Sequence, residues 1–505
     1  MSPRVVVVGA GMGGLAAALE LAAAGAEVTV LERHRAPGGK MREVRIGEAG
    51  IDSGPTVFTM RWVFEELFAA AGLEFGDHLD LQAADLLARH AWLDGSRLDL
   101  YADVERSAAA IEAFAGCREA DAYRRFARHS GRVFETLDRP FMRAERPGVF
   151  GLVRGLGLRR LPDLLAINAF RSLWSELGRH FTDPRLRQLF GRYSTYCGSS
   201  PFRAPATLML IAHAEQAGVW IVRGGMQRLA EALAAAAGAV GAELRYGCHV
   251  ARVLTGADGR AAGVELDGGE RIAADAVVFN GDAAALADGL LGAEARSAVP
   301  ARAAPPASLS ALTISLRART DAFPLAYHTV FFGDDYPDEF RSIFSRQAMT
   351  ATPTLYVCAQ DRAPGGRPDD GGERIFCLAN AAPGDMDEAT VARYRDRVFA
   401  TLERHGLALE PVEGAPVTTT PPDFGALFPA TGGALYGQPT HGWRSSFVRP
   451  GSRSRLPGLY LAGGSVHPGP GVPMAALSGR LAAASVRVDL GLARDRRRQP
   501  GRGHL

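Results

Sequence analysis

Residues 4–32 pack five features into a stretch that few architectures accommodate. Val5 to Val8 run into Gly9-Ala10-Gly11-Met12-Gly13-Gly14, an alanine-rich stretch follows from Leu15 to Ala24, and Glu27 to Leu31 reads as a second strand ending at Glu32. Strand, glycine turn, helix, strand and acid in that order describe a dinucleotide-binding βαβ unit. Gly9 permits the tight turn, Gly11 lets backbone approach a pyrophosphate, and Gly14 lets helix pack on strand. Phosphates would rest on the helix N-terminus, where unpaired N–H groups and the helix dipole favour anions. Glu32 stands eighteen residues past Gly14, where an acid accepts from a ribose diol.

The turn alone does not separate NAD from FAD; the residues after Glu32 favour FAD. Arg33-His34-Arg35-Ala36-Pro37-Gly38-Gly39-Lys40 place a glycine pair and a cation directly behind the acid, as in many flavoproteins. Lys40 is the only lysine in the chain, and a cation facing the diphosphate explains its position.

With 505 residues the chain exceeds one ordinary core. An apolar content of 47% indicates a folded protein, and a net charge of +2 argues against nucleic acid. The five cysteines form no CxxC pair, so neither a disulfide framework nor a metal site is expected. The N-terminus lacks the pattern of a signal peptide, and no apolar run reaches eighteen residues, so neither secretion nor a transmembrane helix is expected.

Dinucleotide-type patterns recur in three blocks. After residues 1–75 comes 223–299, opening with Arg223-Gly224-Gly225-Met226. It continues through a helix to Ala237, strands at 242–246, 248–255 and 263–266, and a buried strand ending Phe279-Asn280-Gly281-Asp282. The third block, 446–492, holds a strand running into Ala462-Gly463-Gly464 and a helix from Met474 to about Leu490. The expected fold class is therefore α/β: a Rossmann-type FAD-binding domain interrupted twice by a mixed α+β substrate lobe, 76–222 and 300–445. A basic tail, 493–505, is expected to be disordered.

The third block carries a family resemblance. LYLAGGSVHPGPGVPMAALSG, residues 459–479, resembles the C-terminal signature of bacterial carotenoid desaturases, FAD enzymes of the phytoene-desaturase type. The resemblance spans nearly the whole chain and includes Ile51 to Thr56, the turn at 223–226 and the Asn280–Asp282 strand end. Residues 54–68, GPTVFTMRWVFEELF, resemble the hydroxycarotenoid 3,4-desaturases more than the phytoene desaturases. The lysine at position 40 departs from the arginine common in the family, which keeps the charge but loses the planar fork.

The resemblance implies that FAD is held by Gly9, Gly11, Met12, Gly13 and Gly14; by Glu32, Arg33, Gly39 and Lys40; and by Gly54, Pro55 and Thr56. It adds Val250, Asn280 and Asp282, then Gly463, Gly464, Val472, Pro473 and Met474. A helix N-terminus at 472–474 aimed at the flavin would stabilise negative charge on the ring. Phe58, Met60, Arg61 and Trp62 are candidates for a substrate wall. Arg61 either reads a tertiary hydroxyl or pairs with Glu65 four residues on. His467 either orients its loop through a backbone hydrogen bond or lines the substrate tunnel. No catalytic base and no metal ligand are assigned, and the terminal electron acceptor is left open.

Residues 146–179 combine apolar side chains with Arg146, Arg154, Arg159, Arg160, Arg171 and Arg179. They read either as a core helix with a solvated face or as a basic amphipathic segment lying on a membrane. A water-insoluble polyene substrate favours peripheral contact with the cytoplasmic side of a membrane. Three other readings share parts of this pattern: a desaturase acting on phytoene or a diapocarotenoid, an amine or porphyrinogen oxidase, and a non-catalytic prenyl carrier.

Overall fold

The computed structural model describes residues 2–145, 148, 151, 167–300, 307–321, 323–363, 366 and 371–492. The basic tail and most of 146–166 lie outside the described residues.

The N-terminal unit forms as β1 (Arg4–Val8), α1 (Met12–Ala23) and β2 (Glu27–Glu32). A five-stranded, wholly parallel sheet is ordered Glu243–Tyr246, β2, β1, Ala276–Phe279, Leu459–Leu461. Three stretches far apart in sequence thus supply one sheet, with the valines of β1 at its centre. Every residue of α1 from Met12 to Ala22 is buried, which is why the helix lacks a polar face. Helices Gln227–Ala239 and Val472–Asp489 press on it, and its alanines let three elements meet closely.

Two boundaries differ from the sequence expectation. α1 begins at Met12 rather than Leu15, because Gly13 and Gly14 are already helical. A Cβ on Gly14 would fall 2.0 Å from the Gly9 carbonyl oxygen, so only glycine fits. The C-terminal helix begins at Val472, with Pro473 in its first turn, where proline's missing N–H costs nothing.

A seven-stranded sheet forms the second layer, in the order 408–419, 310–321, 373–381, 355–359, 328–331, 86–91, 97–101. Its pairs are antiparallel except 328–331 with 86–91. Residues opposite one another across strands share a face. One face, with Leu312, Ile314, Val357 and Cys377, is covered by Tyr394, Val398 and Leu402 of helix Glu388–Arg404. The opposite face presents Thr313, Ser315, Leu378, Tyr356, Cys358, His328 and Val330. It is met by the segment after strand Ala49–Asp52: Ser53 Oγ lies 2.6 Å from Ser315 Oγ, and Thr56 Oγ1 lies 2.6 Å from Tyr356 Oη.

Helices Cys117–Leu137, Leu173–His180, Pro184–Gly191 and Leu210–Gln216 pack around Phe126, Phe181 and Phe190. At the described end of 146–179 the core-helix alternative is the one seen. Leu173 and Leu177 are buried in that core, while Arg171 and Arg179 approach the buried Glu176 carboxylate at 3.9 and 4.0 Å. Arg146, Arg154, Arg159 and Arg160 fall outside the described residues. Phe170 stays out in solvent, 81% exposed, with its ring edge-on to Trp443. No described helix is long and apolar enough to cross a membrane.

Candidate active site

The glycine turn, Glu32 and the Asn280 strand end meet at the C-terminal edge of the parallel sheet. Glu32 is buried; its Oε2 accepts from Ala10 N at 2.7 Å and its Oε1 from His34 N at 2.9 Å. Asn280 is the common neighbour of the turn: Nδ2 donates to the Gly9 carbonyl at 3.2 Å. A Cβ on Gly13 would reach Asn280 Oδ1 at 2.6 Å and Gly463 N at 2.7 Å. Gly463 N in turn donates to Ser478 Oγ of the C-terminal helix at 2.7 Å. Neither α1, starting behind Gly11, nor the C-terminal helix, starting behind Gly471, has a side-chain cap. Two helix N-termini with free N–H groups therefore belong to one cradle.

Gly39, Lys40 and Gly54 lie beside this cradle. A Cβ on Gly39 would stand 3.3 Å from Gly11 Cα, and one on Gly54 would strike the Lys40 carbonyl at 2.1 Å. Lys40 Nζ donates to the Leu435 carbonyl at 2.6 Å and sits 5.5 Å from the Phe428 ring centre. Burial lowers the pKa of this ammonium; the Asp282 charge opposes that shift and Arg449 adds to it. Asp282 Oδ1 caps the short helix Ala283–Ala287 through Ala284 N. Arg33 reaches away to the Ala426 carbonyl, and Pro55 is exposed. Val250 is buried at the start of strand Val250–Thr255, two residues past Cys248, whose N–H donates to the Glu32 carbonyl. Val472, Pro473 and Met474 form the first turn of the C-terminal helix.

Arg449 is a residue the sequence reading missed. Its buried guanidinium donates to the carbonyls of Tyr436 and Gly464, both at 3.2 Å, and of Gln438 at 2.6 Å. With Lys40 it sets two cations against Asp282 at the edge of the cradle. That excess of positive charge, the uncapped helix ends and the Glu32 carboxylate together fit a dinucleotide with an anionic diphosphate and a ribose diol. Asp52 was missed as well: its carboxylate accepts from Met226 N at 2.6 Å and Gln227 N at 3.2 Å, anchoring helix Gln227–Ala239 to the Asp52–Thr56 segment. Burial pushes the Asp52 carboxyl up despite those two donors.

The proposed substrate wall is dispersed. Phe58 is fully buried in the core beneath the cradle, against Phe64 and Trp220, because the strand it begins pairs with Val219–Val222. Trp62 lies under the Arg143 guanidinium, 4.0 Å from its ring centre. Arg61 Nε lies 2.7 Å from Glu65 Oε1, the ion pair named as its alternative, in a groove with residues 76–81. His467 Nε2 donates to the Phe141 carbonyl at 2.8 Å, tying the 463–471 loop to the π-helical turn Asp138–Met142 that follows the long helix Cys117–Leu137. Burial pushes its pKa down to about 4, so it is neutral.

A polar cluster that the sequence did not announce lies between the cradle and the seven-stranded sheet. Tyr356 Oη bridges Thr56 Oγ1 and His328 Nδ1, each at 2.6 Å. Nearby, Glu215 accepts from Tyr193 at 2.6 Å and Tyr196 at 2.5 Å, and Tyr196 also accepts from the buried Arg192 at 3.3 Å. No local pattern marks these pairs, which join residues up to 300 positions apart.

Comparison with known proteins agrees with this geometry. The profile of the flavin containing amine oxidoreductases matches residues 12–487. A hydroxyneurosporene desaturase of Rubrivivax gelatinosus is 53% identical over 96% of this chain and 94% of its own length. One from Cereibacter sphaeroides is 49% identical over 97% and 98%. Among solved structures, an oxidoreductase from Methanosarcina mazei superposes with a TM-score of 0.59 at 17% identity, covering 96% of this chain and 100% of that one. The chain belongs to the flavin containing amine oxidoreductase family and, within it, to the carotenoid desaturases.

Proposed function

We propose that this protein desaturates acyclic carotenoids bearing a tertiary hydroxyl on carbon 1, forming the 3,4 double bond. The observation that carries this reading is the full-length similarity to desaturases named for a hydroxylated acyclic carotenoid. One hydrogen leaves carbon 3 and one leaves carbon 4. FAD, when bound, supplies the hydride acceptor. A C–H beside a long polyene releases hydride readily because the positive charge left behind spreads along the chain. The neighbouring carbon then loses a proton to a weak acceptor, so no strong base is needed. The work of the side chains is to align the polyene, exclude water and hold the end group. Gly9 to Gly14, Glu32, Lys40, Asn280 and the first turn of the C-terminal helix hold the cofactor in this reading. The Gly54–Thr56 segment separates it from the seven-stranded sheet.

The substrate dissolves in lipid rather than water, so we also infer peripheral contact with the cytoplasmic face of a membrane. Phe170 and Val448, 81% and 60% exposed, support this, as do the neighbouring Trp443 and, from the sequence, Arg146, Arg154, Arg159 and Arg160. The deciding experiment gives flavin-loaded protein a 1-hydroxycarotenoid or phytoene, each in vesicles. A red-shifted product from the hydroxylated carotenoid supports the reading; conversion of phytoene alone reassigns the substrate, and conversion of neither refutes desaturation.

A further inference from the structure

Taking the hydroxycarotenoid reading as its basis, we infer that His328, held by Tyr356 and Thr56, is the group that recognises the tertiary hydroxyl of the substrate. The sheet face that carries it sets polar Thr313, Ser315 and Tyr356 among Leu378, Val330 and Cys358. Val330 lies opposite Tyr356 across the strands, and Cys358 lies opposite His328, with Phe376 beyond it. His328 is almost wholly buried there. Its Nδ1 is engaged by Tyr356 Oη, but its Nε2 is buried with no hydrogen-bond partner. An unpartnered buried polar atom is costly, and its persistence points to a ligand.

The ligand's chemistry follows from the imidazole. Burial and the Arg192 charge push its pKa down to about 3, so the ring is neutral and carries one N–H. If Tyr356 donates to Nδ1, Nε2 is a donor; if Nδ1 donates to Tyr356, Nε2 is an acceptor. A hydroxyl satisfies Nε2 in either tautomer, whereas a carbonyl or a cation satisfies only one. The position is also apt. Thr56 is two residues past Gly54, whose backbone packs against the Lys40 carbonyl beside the cradle. The relay Thr56–Tyr356–His328 therefore runs from the cofactor's edge onto the sheet, and reads an end group a few atoms from the reacting carbons.

The test measures Kd, by tryptophan fluorescence quenching, and kcat/KM on a 1-hydroxycarotenoid and on its non-hydroxylated parent. For His328→Leu both preference ratios should fall about ten- to a hundredfold, the loss expected when a buried hydroxyl contact is removed. His328→Gln, which keeps a hydrogen-bonding end, should restore most of the ratio. Tyr356→Phe frees Nδ1 and lets the ring turn; it should lower the ratio less, and it carries the test if the leucine variant does not fold. Flavin content is read in each variant to confirm an intact cradle. A wild-type enzyme that converts neither carotenoid refutes the desaturase reading. A wild type that prefers the hydroxylated carotenoid, with variants that prefer it equally, refutes only the assignment to His328.

Discussion

Gly479 of the C-terminal helix and Gly13 of α1 meet backbone to backbone: a Cβ on Gly479 would lie 2.0 Å from the Gly13 carbonyl oxygen. The contact holds two helix N-termini at one cradle, so cofactor binding and fold stability are linked there.

Gly479→Ala should therefore overpack the helix pair, at a cost of about 1–3 kcal/mol, and release flavin. Thermal unfolding and the flavin absorbance left after desalting report both effects. Gly76→Ala, where a Cβ meets nothing within 4 Å, is the control. Wild-type behaviour of Gly479→Ala would show that the close approach is dispensable.

Gly11→Val separates binding from folding. The backbone at Gly11 has a φ of −76°, which any residue adopts, and a Cβ would press only on the Asn280 amide at 2.8 Å. Flavin should be lost while the circular dichroism spectrum stays native, because the added side chain occupies the diphosphate's approach. Stoichiometric flavin in this variant would place the diphosphate elsewhere.

Acid should destabilise the protein from a higher pH than carboxylates alone would dictate. Burial holds His90 and His328 down to about 3, and His180, His405, His441 and His467 down to about 4. Unfolded histidine titrates near 6.5, so below that pH the unfolded chain binds more protons and stability falls as pH falls. Asp52 and Glu339, raised by burial, act in the opposite sense but are outnumbered. Urea midpoints at pH 7.5, 6.5 and 5.5 should show a net loss exceeding ~1.4 kcal/mol per pH unit below about 6. A flat profile across that range would contradict the buried, neutral state of these rings.

Arg61→Met should leave end-group discrimination unchanged. Its ion pair with Glu65 is partly exposed and contributes under about 1 kcal/mol, so stability barely moves. A fall in the preference for hydroxylated substrate would return Arg61 to the site.

Membrane contact has its own readout. Co-sedimentation with anionic vesicles should weaken in Phe170→Ser, and further when Arg154, Arg159 and Arg160 are neutralised, by up to ~1 kcal/mol per charge. Unchanged sedimentation of the combined variant would remove this region from the membrane face.

The cradle was legible because its parts are local. A turn, its helix and the acid after it are set by spacing within one βαβ unit, and the Gly/Pro-rich C-terminal loop repeats that logic. The polar cluster was not legible, because Thr56, His328 and Tyr356 meet only through the register of non-adjacent strands. Arg449 escaped notice for a related reason: three carbonyls hold it, and carbonyls carry no side-chain signal. Phe58 and Arg61 sit in a stretch that reads as one unit, GPTVFTMRW. The structure sends Phe58 into the core through strand pairing and leaves Arg61 outside with Glu65.

The parallel sheet closes with its last strand, Leu459–Leu461, and the helix behind it, although its first turn is complete by residue 32. At roughly 5–20 residues per second of synthesis, the glycine turn waits tens of seconds or longer for its other half. During that interval the strand Ala276–Phe279 is an open edge, and no nascent chain holds a full cradle. A full cradle therefore exists only once the first turn of that last helix, Val472 to Met474, has been made, so flavin cannot be held by both helix ends any earlier in synthesis.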